Sequence, residues 1–574
     1  MRVASAVTTT VLVLGIAAAG PAVLAQEAQF AGEATVNVIE VPVRVIDPET
    51  GRPVTGLSAK DFQIYENGRK QKITHFTEIS RPQEGADGST GPATATDRTL
   101  EMVYFLDLFL MRKGGRDQAL DALRSRYSQP VPPDEEVSMV VFDGTLRVVV
   151  DRSTDRTRIL DALDAIGEVR ARGMEHESAF TQALSDGPVT GTRDRYFYER
   201  KQRSEEYVFE LERRVARVGR AISATMARYA RADARKVLVA FTPGHPRIRW
   251  APAYSPVDIV NQSAEYPTEG LWQDLAYEAS DLGFTLFTID SAGIQPGVEG
   301  DVSQASTTDI GAGAGAADQP ESANPTSPDE STGDFAFGAG SPPESIGPWQ
   351  ERVRKELLIS TAEDTGGSAH FSDATVAVGN VAASLEHFYS LAYVARHSGD
   401  GETYSIRVEL PKHPEYETEF RRAYVDLPAA ERSAKRLQSA MLFGSDANPL
   451  AIRVELGEPK KRLRIGAAGS KMVRLPIKIK IPIGRLDLIP QGEIFWGKVA
   501  VTVFGEDAAG NQSQPVGGEA PISIPMDQIQ QARARGYFSY DLKIEVEGGQ
   551  QKVWVGVEDL ISGRISIMPQ ALDY

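Results

Sequence analysis

Runs of apolar residues and their spacing divide this chain into segments of different predicted structure. From residue 101 onward, short apolar runs alternate with amphipathic stretches, as strands and helices alternate in an α/β domain. The strongest run, 103–111, contains one carboxylate, Asp107, and is followed by Gly114 and Gly115. A continuous apolar run predicts a central strand covered on both faces. Asp107 then lies where the strand leaves the sheet, the position at which doubly wound folds hold ligands.

The alternation of strand and helix patterns continues to residue 427. Leu211, Val215 and Ile222 share one face of a long helix predicted over 205–230, and Ser153 or Thr154 is the expected cap of an earlier short helix. Further strands are predicted over 137–142, 146–150, 236–241, 284–289, 369–371, 389–395, 404–410 and 420–425, and further helices over 118–126, 271–280, 349–365 and 376–387. We therefore predict an α/β domain over 98–427 built on a doubly wound, mostly parallel, Rossmann-like sheet.

Two β segments flank this domain. An N-terminal β module is predicted over 26–79, because apolar residues alternate with other residues over 39–45 and Asn67-Gly68 predicts a tight hairpin turn. A linker over 80–97 follows this N-terminal β module. After a helical connector over 428–448, the pattern of 449–574 predicts a C-terminal antiparallel β-sandwich. Its clearest strand contains Pro476 and Pro482, which indicate a sheet edge.

The first 25 residues have the pattern of an export signal. Arg2 precedes an apolar stretch over 11–19, and small residues end at Ala25. We expect cleavage after Ala25 and a periplasmic, cell-surface or secreted protein; the alternative is an uncleaved membrane anchor, for which the apolar stretch is short. No other stretch is long and apolar enough to cross a membrane.

Composition excludes several classes of function. The chain has no cysteine, which rules out disulfides and thiolate metal sites. Its formal net charge of −17 argues against nucleic acid and anionic membranes as general partners, because both require a positive field. Residues 296–348 contain nine acidic and no basic residues among Gly, Ala, Ser and Pro, and predict a disordered insertion.

Three stretches resemble the von Willebrand factor type A fold, and more closely the VWFA-related family of acidobacterial type. Residues 45–73 are similar to the β module that precedes the domain in that family. Val141-Phe142-Asp143, with 151–155 and Leu160, is similar to a strand, hairpin and helix start of the domain, and 234–244 is similar to the strand that carries its last metal-binding loop. The resemblance covers most of 35–425 and does not extend past Pro449.

The resemblance implies a position for a divalent cation, since many type A domains hold one with an Asp-x-Ser-x-Ser loop and with oxygens from two further loops. Asp107 matches the first aspartate, but Phe109 and Met111 occupy the two serine positions. Pro243 stands where the last loop would supply an aspartate, and the second loop offers only Ser178 or Thr181. Hard cations require oxygen ligands, so we expect no conventional metal site and no cofactor.

An atypical divalent-cation site is the alternative. Strand order predicts Asp107, Asp143 and Asp290 on one edge of the sheet, and His176 and Glu177 lie in a loop nearby. The simpler interpretation is a solvated acidic rim. Together with Glu175 and Thr242, the residues Asp107, Asp143, His176 and Asp290 form the edge at which we expect a partner to bind.

No catalytic motif stands out in the sequence. It lacks Gly-x-Ser-x-Gly, His-Glu-x-x-His and the phosphate-binding Gly-x-x-x-x-Gly-Lys-Ser/Thr pattern. We therefore expect an exported, non-enzymatic protein that serves as an interaction, adhesion or scaffold module in the cell envelope, with an unknown protein partner. The alternatives are an adhesion receptor dependent on Mg²⁺, Ca²⁺ or Mn²⁺ at the acidic rim, and an envelope hydrolase that uses the same edge.

A basic stretch interrupts the acidic chain near its C-terminal third. Residues 453–485 contain ten basic and two acidic residues. This stretch is either a docking face for an anionic envelope polymer or the wet side of amphipathic strands, and the alternation of Lys478 and Lys480 with apolar residues favours the second interpretation.

Overall fold

A computed structural model describes residues 37–80, 99–175, 213–231, 234–244, 268–291, 346–397, 399–444, 448–465, 471–507, 513, 515–547 and 550–573. The predicted signal peptide, residues 81–97 of the predicted linker and residues 296–345 of the predicted insertion lie outside these ranges. Within the described residues, no helix has the length and hydrophobicity that a membrane crossing requires.

The described strands and helices are numbered in chain order. The strands are β1 (Val38–Ile46), β2 (Gln63–Glu66), β3 (Arg69–Gln71), β4 (His75–Ser80), β5 (Thr99–Asp107), β6 (Glu135–Phe142), β7 (Leu146–Ser153), β8 (Ala234–Thr242), β9 (Phe284–Asp290), β10 (Ala369–His370), β11 (His387–Val394), β12 (Thr403–Glu409), β13 (Glu417–Phe420), β14 (Ala423–Val425), β15 (Arg453–Leu456), β16 (Lys460–Ile465), β17 (Lys471–Pro482), β18 (Ile489–Gln491), β19 (Ile494–Asp507), β20 (Val516–Pro525), β21 (Tyr537–Glu547), β22 (Gln550–Asp559) and β23 (Ile565–Asp573). The helices are α1 (Lys113–Arg126), α2 (Arg156–Gly167), α3 (213–229), α4 (Thr268–Asp281), α5 (Ile346–Glu363), α6 (Ala374–Ser384), α7 (Ala429–Leu442) and α8 (Ile529–Arg535).

Six strands form the sheet that contains the Asp107 strand. Their order is β10-β9-β8-β5-β6-β7, and all neighbours are parallel except the antiparallel pair of β6 and β7 at one end. If these six strands are renumbered 1 to 6 in chain order, starting with β5, and the sheet is read from the β7 end, the order is 3-2-1-4-5-6. This is a doubly wound order. The predicted mostly parallel sheet is confirmed, with the start of the 103–111 run at its centre. The strand ends at Asp107, and residues 108–110 form a turn.

The alternation of side chains along β5 explains why its sequence is apolar throughout. Met102 and Tyr104 enter a core cluster formed with α1, α2 and α6, whereas Val103 and Phe105 enter a second cluster formed with α3, α4 and α5. Both faces of the sheet are therefore buried, and each successive residue needs an apolar side chain. Helices on both faces complete the doubly wound arrangement.

Small differences from the predicted helix boundaries have local causes. Helix α2 is capped by Asp155, whose side chain accepts a hydrogen bond from Thr157 N, so the predicted cap at Ser153 or Thr154 is wrong. Asp is as good a cap as Ser, and it stands one residue closer to the helix. Helix α6 ends at Ser384, earlier than the predicted 387, because His387 already pairs with Ser80 in a sheet.

The N-terminal β strands find their partners far along the chain. One antiparallel sheet has the order β13-β1-β11-β4 and a second has the order β14-β12-β2-β3, and the two sheets share one apolar cluster. Residues 38–80 and 387–425 thus form one two-sheet unit, which we call the β module. The chain leaves this module, forms the parallel sheet and returns to it.

The last third of the described chain contains two antiparallel sheets that share a further apolar cluster. One has β17 at its centre, between β21 on one side and β15 and β16 on the other. The sheet-edge position expected from the prolines of β17 is therefore wrong. Pro476 lacks an N–H, and it lies opposite the gap between β15 and β16, where its carbonyl accepts a hydrogen bond from Gly457 N.

Candidate functional site

Asp107 lies at the carboxyl edge of the parallel sheet, as the last residue of β5. Its side chain is fully buried. Oδ2 accepts a hydrogen bond of 2.7 Å from the hydroxyl of Thr242, and Oδ1 accepts one of 3.1 Å from Leu110 N. The Thr242 oxygen also accepts a hydrogen bond of 3.0 Å from Gly244 N. Because β5 and β8 are adjacent and parallel, their ends bring Asp107 and Thr242 together.

The surroundings of Asp107 oppose its ionisation. Burial raises the pKa of Asp107 to about 7, and the hydrogen bonds from Thr242, Leu110 and Phe109 offset only part of that effect. Neutral donors stabilise a carboxylate less than a cationic partner does. Burial therefore favours the protonated form of this side chain.

The residues that follow Asp107 close this edge of the sheet. Phe109 and Met111 are buried, and the ring of Phe109 lies 5.5 Å from that of Phe142. The guanidinium of Arg217 stacks over Phe109 at 4.8 Å and donates a 3.1 Å hydrogen bond to the carbonyl of Gly144. Apolar side chains therefore occupy the space beside Asp107, and an arginine covers them.

A neighbouring segment, 172–175, is fixed to the same edge by backbone hydrogen bonds. Arg172 N donates to the carbonyl of Leu108 at 2.8 Å, and Gly173 N donates to that of Met111 at 2.9 Å. A Cβ atom on Gly173 would stand 2.4 Å from Leu110 O, so glycine is required for this approach. Next to it, Met174 is 60% exposed. The edge thus carries an exposed methionine on a rigid support.

The other residues predicted for the edge have separate partners. Asp143 accepts hydrogen bonds within its own hairpin, from the Thr145 hydroxyl at 2.9 Å and from Arg147 at 2.6 Å. Glu175 forms an exposed ion pair with Arg170 at 2.6 Å. The structure brings Asp107 and Thr242 into contact, whereas Asp143 and Glu175 are engaged by neighbours in sequence.

The remaining residues predicted for the edge are Asp290 and those of the loop that contains His176. Asp290 ends β9 and lies in register with Thr242 on the neighbouring strand. His176, Glu177, Ser178 and Thr181 lie outside the described residues.

The residues at Asp107 do not fit a hard divalent cation. Both carboxylate oxygens already accept hydrogen bonds, and Phe109 and Met111 provide no oxygen. Such ions take about six oxygen ligands. Across the described part of the chain, the side chains that could jointly hold a metal ion are His397, Asp400 and Asp426, whose ligand atoms lie within 4.8 Å of one another.

That second group belongs to a polar cluster inside the β module. Glu66 Oε1 accepts hydrogen bonds from the hydroxyls of Tyr393 at 2.6 Å and Tyr424 at 2.9 Å, and it faces His397 Nε2 at 3.3 Å. The other ring nitrogen of His397 lies 2.7 Å from Asp426 Oδ2. Burial raises the pKa of both phenols, so they stay protonated and act as donors.

His397 connects two carboxylates. Burial alone lowers the pKa of His397, but its hydrogen bonds to Asp426 and Glu66 outweigh that effect and raise it. Asp426 also accepts a hydrogen bond of 2.7 Å from Gly399 N and one of 3.3 Å from Arg432, which forms a bidentate pair with Asp281 of α4. The cluster therefore links the β module to the helices around the parallel sheet.

An open pocket lies beside this cluster. Its volume is ≈ 530 Å³, and its wall includes the ring of Tyr404, which stacks on His397 with centroids 3.5 Å apart and planes 5° apart. The lining residues are Glu66, Asn67, Arg69, Lys70, Gln71, Arg396, His397 and Tyr404. The hairpin turn predicted at Asn67-Gly68 is confirmed, with positive φ at both residues, and it forms one rim of the pocket.

This cluster was not predicted from the sequence, although one signal for it was present. Phe62, Ile64 and Glu66 alternate with exposed or half-buried neighbours, so strand parity places Glu66 on the buried face. Tyr393 shares its parity with Tyr389 and Leu391 in the same way. A carboxylate on a buried face requires buried donors, and this requirement indicates a polar cluster.

The basic stretch 453–485 contributes ion pairs to the C-terminal sheets. Arg474 pairs with Glu545 at 3.0 Å, and Lys480 pairs with Glu455 at 2.6 Å. Lys478 lies 3.6 Å from Asp541 on the adjacent strand. Much of the local positive charge of β17 is thus opposed by acidic residues on β15 and β21.

Comparison with known proteins finds solved structures of low similarity. No protein-family model matches the chain, and no curated protein matches it. BatB from Bacteroides thetaiotaomicron is 11% identical with a TM-score of 0.18, over 33% of this chain and 65% of that one, so the chain spans less than two thirds of BatB. An aerotolerance-related membrane protein from Bacteroides fragilis is 11% identical with a TM-score of 0.22, over 49% of this chain and 96% of that one.

The manganese-loaded TRAP protein of Plasmodium vivax is 9% identical with a TM-score of 0.22, over 60% of this chain and 96% of that one. These neighbours include von Willebrand type A folds. TM-scores this low do not assign a fold, so the fold is assigned from the strand order of the sheets. The described chain is a mixed α/β protein that combines one mostly parallel sheet with four antiparallel sheets.

Proposed function

We propose that this protein is an exported, non-enzymatic interaction module of the cell envelope, which presents the carboxyl edge of its parallel sheet to a protein partner. The observation that carries the proposal is Met174, which is 60% exposed on a segment that backbone hydrogen bonds fix to the edge. The same edge carries the guanidinium of Arg217, stacked over Phe109. Methionine and arginine are enriched at protein interfaces, and a rigid support lowers the entropy cost of binding.

A photo-crosslinking amino acid at position 174 tests this proposal in the native envelope. We expect a discrete crosslinked product that is lost when Arg217→Ala is added. The matched control carries the same crosslinker at Ile489, which is 47% exposed on the C-terminal sheets. Equal products from positions 174 and 489, or a product that Arg217→Ala leaves unchanged, would overturn the proposal.

The two competing functions predict other outcomes. An adhesion receptor dependent on Mg²⁺, Mn²⁺ or Ca²⁺ would show calorimetric metal binding that Asp107→Ala abolishes. An envelope hydrolase would turn over envelope polymers in an activity screen. On the proposed function we expect neither result, because the carboxylate of Asp107 is enclosed and both of its oxygens accept hydrogen bonds.

Export is tested separately. Mass spectrometry of the N-terminus of the mature protein is expected to find Gln26, the residue after the predicted cleavage site. A mature protein that retains residues 1–25 would support the membrane-anchor alternative.

A further inference from the structure

The pocket of the β module has the size of a small-molecule site. Its ≈ 530 Å³ lies within the range of about 300–1,000 Å³ that is typical of ligand pockets. It is bounded by the β2–β3 hairpin on one side and by the segment after β11 on the other. These two parts are more than 300 residues apart in sequence, and Glu66 and His397 hold them together.

Three cations surround the pocket without an ion pair. Arg69, Lys70 and Arg396 are exposed, and among the described residues none of them has a carboxylate within salt-bridge distance. Some other basic residues of the β module are paired, for example Arg44 with Glu419 and Lys412 with Asp61. Three like charges around one concave surface repel one another, and a bound anion would relieve that repulsion.

The acidic residue in the pocket does not neutralise this rim. Glu66 is 7% exposed, and its Oε1 already accepts hydrogen bonds from two tyrosines and faces His397. The amide of Gln71 lies 3.5 Å from its second oxygen. The charge of Glu66 is thus directed into the cluster behind the pocket, whereas the rim charges point to solvent.

The wall of the pocket suits the carbon skeleton of a ligand. Tyr404 and His397 form a flat stacked pair, and the Tyr404 hydroxyl is held by Asp400. Asn67 is also fixed, because its side-chain oxygen accepts hydrogen bonds from the backbone N–H and hydroxyl of Ser405. Preorganised polar groups beside an apolar surface are the usual composition of a small-molecule site.

We propose that this pocket binds a small organic molecule that carries two or more anionic oxygens, as carboxylate or phosphate groups. Arg69 and Arg396 present planar guanidinium groups that match either oxyanion, and Lys70 adds a point charge. A concave site of this volume fits a small molecule better than a polymer. The inference is independent of the interaction proposed for the edge of the parallel sheet.

Isothermal titration of the full-length protein at low salt tests the inference, with citrate and inorganic phosphate as separate probes. We expect saturable one-site binding of at least one probe, and the stronger probe distinguishes a carboxylate site from a phosphate site. Arg69→Gln and Arg396→Gln are each expected to weaken that binding about tenfold, since each removes a charge-assisted contact.

Arg52→Gln is the matched control, because it removes the same charge from an exposed position of the β module outside the pocket. We expect it to change the affinity less than twofold. The inference is overturned if neither probe binds, if all three variants weaken binding equally, or if an acidic polymer such as polyglutamate binds while both small anions do not. Circular dichroism of each variant checks that these exposed substitutions leave the fold intact.

Discussion

Two buried carboxylates in this protein have opposite surroundings. Asp107, at the end of the central parallel strand, accepts hydrogen bonds from the neutral donors Thr242 and Leu110 and is enclosed by apolar residues. Glu66, in the β module, accepts hydrogen bonds from two tyrosines, faces His397 and borders an open pocket. The first site closes the place where doubly wound folds bind ligands. The second creates a concave polar surface where the fold class predicts none.

The contrast shows that position in a fold does not by itself make a binding site. The parallel sheet supplies the switch point, but Phe109 and Met111 fill the space beside Asp107. In the β module, one hairpin and one returning segment meet around hydrogen-bonded polar groups. Function follows from the side chains at a position, and fold class only indicates where to look.

The largest effect is expected for Asp107→Asn, which tests the burial of the Asp107 carboxyl group through the pH dependence of stability. The pKa is about 7 in the folded protein and 3.8 in the reference state, so between about pH 4 and 7 the unfolded chain releases a proton that the folded protein retains. The stability of the wild type therefore falls as pH rises through this window. In urea unfolding, we expect the free energy of unfolding of Asp107→Asn, relative to that of the wild type, to increase by roughly 4 kcal/mol between about pH 4 and pH 8.

Asp61 in the β module provides a control, because its replacement should change the pH dependence of stability in the opposite direction. Hydrogen bonds from Lys412 and Ser58 lower the pKa of Asp61, so its contribution to stability is lost as pH falls through the folded pKa. Asp61→Asn should therefore lose stability relative to the wild type as pH rises through the acidic range. If the difference in stability between Asp107→Asn and the wild type stays constant from pH 4 to 8, the inference that the Asp107 carboxyl group is enclosed is wrong.

The second effect tests the polar cluster of the β module. Glu66→Ala removes the acceptor of the two tyrosine hydroxyls and the partner of His397, and these groups stay buried. We expect the free energy of unfolding to fall by about 3 kcal/mol, measured by urea unfolding with near-ultraviolet circular dichroism. The exposed Glu49→Ala is the control and should change stability by less than about 0.5 kcal/mol. Equal effects of the two substitutions would show that the cluster is not buried.

A third test measures how tightly the edge of the parallel sheet is closed. A Cβ atom on Gly115 would stand 2.0 Å from the carbonyl oxygen of Ser291, whereas one on Gly114 would meet nothing within 4 Å. We expect Gly115→Ala to lower the melting temperature, with a loss of about 2 kcal/mol from the forced displacement of α1. Gly114→Ala should be neutral or stabilising by up to about 1 kcal/mol. Similar melting temperatures for the two variants would mean that this edge is loose.

The smallest effect concerns the rim of the pocket. Tyr404→Phe removes a hydrogen bond to Asp400, which is exposed and stays solvated. The expected loss of stability is about 0.5–1 kcal/mol. The same bond raises the pKa of Tyr404 to about 12. Burial raises the pKa of Tyr104, Tyr229 and Tyr389 to about 12 as well, so ultraviolet titration of the variant should show one phenol fewer in this range. A loss as large as that of Glu66→Ala would place Tyr404 in the core of the cluster.

The parallel sheet was predictable because its signals are local. A doubly buried strand shows as an apolar run, and its helices show as apolar residues at helical spacing, so β5 was placed from residues 103–107 alone. Asp107 and Thr242 were both expected at this edge, but their hydrogen bond was not predicted, since it depends on β5 and β8 being neighbours in the sheet. The departures at Phe109 and Met111 were visible in the sequence itself.

The β module was only half predictable. Its first strands were recognised from alternation, but nothing local identifies β11, β12, β13 and β14 as their partners. Antiparallel pairing depends on complementary faces that can come from anywhere in the chain. The pocket could not be found for the same reason, because Arg69 and Arg396 meet only after those strands pair.

The return of the chain to the β module has a consequence for synthesis. The hydroxyl of Ser390 donates to Glu40, 350 residues earlier, across the pair of β1 and β11. At about 5–20 residues per second, roughly 20 to 70 seconds separate the synthesis of the two partners. During that interval β1, β2 and β4 have unpaired backbone groups and apolar faces, the features that favour aggregation. We therefore expect this topology to favour folding that begins only after residue 425 has emerged, or protection of the early strands by a chaperone.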